Sequence, residues 1–128
     1  MAPFLPAAPS TPAPGSKERK DILDALRLPL EDGFKQELIF RVHHFKVENG
    51  WGYLEVQPRT KSDKKISYKG TIWQEDADFM DDGVLALMRY RKGRWYVVAK
   101  IVGPTDYPLE FFLQFEAPRG IFPSSGDQ

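Results

Sequence analysis

The chain has 128 residues, 41% of them hydrophobic, with eighteen basic residues against eighteen acidic and no cysteine. That length suits one domain able to bury about 65% of its unfolded surface. Zero net charge gives no whole-molecule field toward nucleic acid or anionic lipid, and the missing thiols exclude disulfides, thiolate metal sites and cysteine nucleophiles.

Nine of the first sixteen residues, "MAPFLPAAPSTPAPGS", are Ala or Pro. Proline withholds a backbone donor and favours extended chain, so residues 1–16 read as a disordered or polyproline-like tail. They lack the basic start and apolar core of a signal peptide, yet such a segment often follows a cleaved signal. The composition suggests a signal peptide absent from this chain and hence a periplasmic or secreted protein; the bland alternative is a flexible cytoplasmic tail. Residues 123–128 read as a second frayed end, leaving a single domain over 17–122. No run approaches the ~18 apolar residues of a membrane span.

Ser16 is positioned to cap a helix over "KERKDILDALRL", with Ile22, Leu23 and Leu26 on one face and Ala25 beside them. Pro29 disfavours helix at Leu28, which predicts an end or a break there. A helix of about three turns is unstable alone and must lie on something.

That partner is a sheet. In "ELIFRVHHFKVENGWGYLEVQP", Asn49-Gly50 is a strong two-residue hairpin signal. It pairs Glu48 with Trp51, Lys46 with Tyr53 and His44 with Glu55. On the other, more apolar face, Val47, Phe45 and His43 oppose Gly52, Leu54 and Val56, and this face is expected toward the core. Lys92-Gly93 repeats the device in "VLALMRYRKGRWYVVAKIVG". Tyr90 then faces Trp95, Met88 Val97, Ala86 Ala99 and Val84 Ile101, all apolar or aromatic and expected against the helix. The opposite face is charged near the turn and apolar at its inner end, which predicts a central position with partial cover there.

Between the hairpins, "RTKSDKKISYKGTIWQEDADFMDDG" is polar and long, with an edge strand possible in "KISYKGTIW". Its basic run, with Tyr68 and Trp73, imitates a nucleic-acid patch, but the adjoining acidic run offsets it; a self-neutralising mobile connection is expected, and no nucleic-acid partner. "EDADFMDDG" lacks the glycine placement and distal glutamate of a calcium loop, so a solvated acidic loop is expected. After the last strand, Asp106 can cap a short helix near Tyr107-Pro108, with Leu109, Phe112 and Phe115 near one face. Four of the nine phenylalanines (111, 112, 115, 122) fall here or just beyond, so this segment is expected to pack on the body.

The predicted architecture is α+β: an N-terminal helix packed on a curved antiparallel sheet of four to five strands. At this point "RKDILDALR", "FKVENGWGYLEVQP", "DDGVLALMRYRKGRWYVV", "GPTD" and "APRGIF" resemble a group of small uncharacterised proteobacterial proteins, over roughly residues 17–122. The resemblance implies a cystatin-like or NTF2-like fold and export, and transfers no activity.

Residue chemistry points away from catalysis. His43 and His44, the two histidines, are adjacent on a strand and point to opposite faces, so they do not chelate one ion together. His44 and Glu55 are expected to form an exposed cross-strand pair, with no serine nucleophile nearby. His43 is expected as a hydrogen-bonded, half-buried side chain on the core face. No phosphate loop, HExxH, GxSxG or paired-carboxylate spacing occurs. No catalytic, metal or cofactor residue is assigned. The function expected is a non-enzymatic binding module for a protein, a peptide or a small apolar ligand, acting as a monomer or weak dimer. Its possible binding surface is Trp51, Tyr53, Trp73, Tyr96 and His43, since interfaces favour aromatics. The alternative is an NTF2-like enzyme with a small polar site inside the helix–sheet cone.

Overall fold

The computed structural model describes residues 8–104 and 109–123. One helix, α1 (Lys17–Phe34), lies on an antiparallel sheet of four strands: β1 (Leu38–Glu48), β2 (Trp51–Thr60), β3 (Val84–Arg91) and β4 (Arg94–Val102). The strands run in the order β1-β2-β3-β4, a plain meander. A five-residue helix, α2 (Leu109–Leu113), and a 3-10 turn (Arg119–Ile121) follow. The fold is therefore α+β.

Ser16 caps α1 as expected, its Oγ accepting from the Arg19 N–H at 3.2 Å. The helix does not stop at Leu28. It runs through Pro29 to Phe34 and ends at Lys35 in the left-handed region (φ 58°), whose N–H donates to the Glu31 carbonyl at 2.8 Å. The reason is a stripe at four-residue spacing, Ile22, Leu26, Leu30 and Phe34, buried along its whole length. Burying Leu30 and Phe34, at roughly 1.5–3 kcal/mol each, matches the ~3 kcal/mol penalty of an interior proline. The Glu31 carboxylate then accepts from the Leu38 N–H at 2.8 Å and ties the helix end to β1.

Both hairpins turn on positive-φ pairs, Asn49-Gly50 and Lys92-Gly93. Near the turns the registers are those expected: His44–Glu55 and Glu48–Trp51 in the first hairpin, Met88–Val97 and Arg91–Arg94 in the second. Away from the turns a bulge interrupts each. His43 is the extra residue in β1, because Val42 pairs with Val56 and His44 with Glu55. Val98 is the extra residue in β4, because Met88 pairs with Val97 and Leu87 with Ala99. Two expectations are corrected by this. Phe45 and Val42 both pack on the helix side, so His43 is not on the core face but exposed. Ala99 and Ile101, expected against the helix, belong to the cluster on the opposite side.

The sheet thus separates two apolar layers. The helix side joins Ile22, Leu26, Leu30 and Phe34 to Phe45, Val47, Leu54, Val56, Ala86, Met88 and Trp95. The outer side joins Tyr53, Leu85 and Leu87 to Phe112, Ala117, Ile121 and Phe122. This is the partial cover expected, supplied by the C-terminal segment; Asp106 and Tyr107-Pro108 lie outside the described residues.

The connection over 59–83, largely exposed, is anchored to the body at a few points. Asp63 holds Arg41 at 2.8 Å and Arg59 at 3.1 Å, a single Arg59–Lys65 bridge replaces the possible edge strand, and Ile66 and Tyr68 are buried. Trp73 packs on Phe34 at 4.9 Å between ring centres. A 3-10 turn, Gln74–Phe79, carries most of the acidic run. Of the Ala/Pro-rich segment, residues 8–16 are not a free tail: Ser10 exchanges two backbone hydrogen bonds with Val47, along the edge of β1 away from β2. Residues 1–7 and 124–128 fall outside the described residues. No helix among the described residues is long and apolar enough to cross a membrane.

Candidate functional site

A groove of about 390 Å³ opens where β2 runs on past its last pairing with β3, Val56–Val84. Its walls are His43 from the β1 bulge, Glu55 and Gln57 from β2, the Asp81-Asp82-Gly83 turn that leads into β3, and Pro104 after β4. Val56, Val84 and Leu85 supply an apolar bed.

The bulge is what brings His43 here. An extra residue lets two successive side chains, His43 and His44, leave the core face together, which simple alternation forbids. They then diverge in role. His44 Nε2 donates to the Ile121 carbonyl at 2.7 Å, and its ring packs near Tyr53 at 5.7 Å, so it anchors the C-terminal segment. His43 stays exposed at the groove wall.

Glu55 is the unusual member of the site: a carboxylate only 9% exposed. Its Oε2 accepts from the Tyr53 hydroxyl at 3.0 Å, and Tyr53 itself is fully buried among Phe112 and Phe122. The exposed His44–Glu55 pair expected from sequence does not form: the two are adjacent in the ladder, but Glu55 is buried and each has a different polar partner. Asp81 and Asp82 add two more carboxylates. Asp81 Oδ1 accepts from the Asp82 N–H at 2.8 Å, and Lys65 Nζ approaches Asp82 at 4.0 Å. The turn is tied down by Gly103, whose N–H donates to Gly83 and whose carbonyl accepts from Asp81. Tyr68 donates to the Asp81 carbonyl at 2.8 Å; burial, and then the Asp82 and Asp81 charges, push its hydroxyl up to about 12.

Chemically, the described residues of the groove offer three carboxylates, one imidazole and one amide over an apolar bed. That set favours a cation with a hydrocarbon body. Among the described residues, its walls carry no hydroxyl, thiol or amine to act as a nucleophile. Among the described residues, no group of three His, Asp or Glu side chains is placed to hold a metal ion.

The aromatic residues proposed from sequence do not form one surface. Tyr53 is buried under the C-terminal segment, and Trp73 packs against Phe34 and Tyr68 on the helix side. Trp51 and Tyr96 do share the outer face at the turn end of the sheet, on either side of Arg89. Of the five residues named, His43 alone lines the groove. Sequence reasoning missed Glu55, Asp81 and Asp82 as groove residues. The signal available was a glutamate inside an otherwise apolar strand, "YLEV". Comparison with protein-family models, with curated proteins and with solved structures finds no match to this chain.

Proposed function

We propose that this domain is a non-enzymatic binding module whose outer groove receives a protonated amine or guanidinium carried on an apolar stem, from a peptide or protein or from a small ligand. The observation that carries this reading is Glu55, a carboxylate nine-tenths buried and held by Tyr53, at the wall of a groove with two further carboxylates. A buried carboxylate gains most from a charged hydrogen-bond partner. Leu85, Val84 and Pro104 would cover the stem, and the volume falls within the range of small-ligand sites. The helix side favours no active site: among the described residues Glu55, bonded to Tyr53 of the outer layer, is the sole buried charged or polar residue.

Chemical-shift mapping tests the proposal with lysine- and arginine-containing peptides, alkylamines and uncharged analogues of equal size. The cationic members should move the His43, Gln57, Gly83 and Leu85 resonances, and Asp82→Asn should weaken them several-fold. Equal response to the uncharged analogues, or shifts confined to other faces, would sink it.

The proposal also takes up the cystatin-like or NTF2-like type of fold and the periplasmic or secreted location. A helix followed by a four-stranded meander supports the first, and the resemblance supports the second. Fractionation of cells expressing the native gene checks the location: recovery in the cytoplasm alone would overturn it.

A further inference from the structure

We propose that the turn end of the outer face, where Trp51, Arg89, Arg91, Arg94 and Tyr96 lie, binds an extended acidic stretch of a protein partner. This site is separate from the groove, which lies at the opposite end of β3, and it does not depend on the groove's reading.

The register builds it. Trp51, Arg89 and Tyr96 stand side by side across β2, β3 and β4, and Arg91 opposes Arg94 in the next row of the same face. Like charges directly opposite one another repel. Among the described residues, none of these three arginines makes an ion pair. Arg89 Nε is buried and has no hydrogen-bond partner. Three guanidinium groups therefore share one patch without an ion-pair partner; the carboxylate of the same row, Glu48 opposite Trp51, lies beside Gly120 instead.

Two of them are held in place. Arg89 stacks over Trp51 at 4.3 Å, and Arg94 over Tyr96 at 4.8 Å, with Arg94 Nε donating to the Tyr96 hydroxyl at 2.7 Å. Stacking fixes the guanidinium plane and leaves N–H edges to meet carboxylates in forked pairs. The spacing selects the partner. Arg89 and Arg91 are two residues apart on one strand, about 6.6–6.8 Å, which is the repeat of alternate side chains on any extended chain. An extended segment with Asp or Glu at every second position matches it. Single-stranded nucleic acid is disfavoured, because each aromatic ring that could stack on a base already carries an arginine on one face.

Titration calorimetry on the full chain tests this with four probes: a peptide alternating Glu and Ser, its Gln/Ser counterpart, an oligothymidylate and inorganic phosphate. The Glu/Ser peptide should bind, more weakly as salt rises, and the Gln/Ser peptide should not. Arg91→Gln with Arg94→Gln, both exposed positions, should weaken the Glu/Ser peptide at least about tenfold with the circular dichroism spectrum unchanged. Lys61→Gln with Lys64→Gln, in the other basic run, should leave it unaltered. The proposal is overturned by no binding of the Glu/Ser peptide, by equal loss in the two double variants, or by tighter binding of oligothymidylate or phosphate.

Discussion

Tyr68 belongs to the helix-side core, yet its hydroxyl donates to the backbone of the groove turn at Asp81. Its phenol is raised from 10.0 to about 12 by burial and by the neighbouring Asp82 and Asp81 charges. Folding thus favours the neutral phenol. That contribution is complete below about pH 10, where the unfolded chain also keeps its proton, and drains away as pH rises toward 12. Thermal melts of the parent and of Tyr68→Phe should differ by a constant margin up to about pH 9 and converge above about pH 10. A margin that stays constant to pH 12 would contradict the assignment. Gly103 is the second residue on which the groove turn depends. Its φ is +69°, and a Cβ there would lie 2.4 Å from Met80 Cε, 2.9 Å from Met80 Cβ and 3.1 Å from the Asp81 carbonyl. Both the left-handed backbone and the crowding oppose a side chain. Gly103→Ala should cost about 1–3 kcal/mol in urea denaturation. It should also shift the Asp81 and Gly83 resonances, because Gly103 hydrogen-bonds both.

At the scale of elements, α1 and the two bulges show where sequence reasoning reaches and where it stops. Ser16, the Asn49-Gly50 and Lys92-Gly93 turns, and the pairing near those turns were all legible, because each follows from contacts within a few residues. Pro29 carried a correct local signal that a distant contact overrode: Leu30 and Phe34 find partners across the sheet and the connection. The helix therefore contains a position without an N–H, exposed to solvent. Pro29→Ala restores a donor for the Ala25 carbonyl and removes the ring's clash with it. Some of that gain is offset because proline also stiffens the unfolded chain. A net rise of about 1–2 kcal/mol in unfolding free energy is expected by urea titration, and no rise would mean the helix has already relaxed around the ring. The bulges were not legible. A turn sets register only as far as the first extra residue, and neither His43 nor Val98 differs chemically from a regular strand residue. Missing them placed His43 on the wrong face and hid the groove, whose walls come from four separate parts of the chain.

On the scale of the molecule, the sheet is shared by two apolar layers, and its two inner strands feed both. In β2, Leu54 and Val56 face the helix while Tyr53 faces α2; in β3, Ala86 and Met88 face the helix while Leu85 and Leu87 face outward. Neither layer can lose its packing without exposing strands that the other requires. One cooperative transition is therefore expected, even though α2 is too short to be helical alone. Leu26→Ala on the helix side should cost about 2–5 kcal/mol and Phe112→Ala on the outer side about 3–5 kcal/mol, both with an unchanged dependence on denaturant. The three tryptophans allow a direct check. Trp95 reports the helix-side cluster, and Trp51 packs against the outer one. Variants keeping only one or the other should give the same urea midpoint by fluorescence, once each variant's own stability is matched against its far-ultraviolet circular dichroism. If Phe112→Ala lowered the midpoint seen by Trp51 while circular dichroism held at the parent's value, the outer layer would be an independent unit. The groove, built on residues from both layers, would then open with that layer and not with the fold.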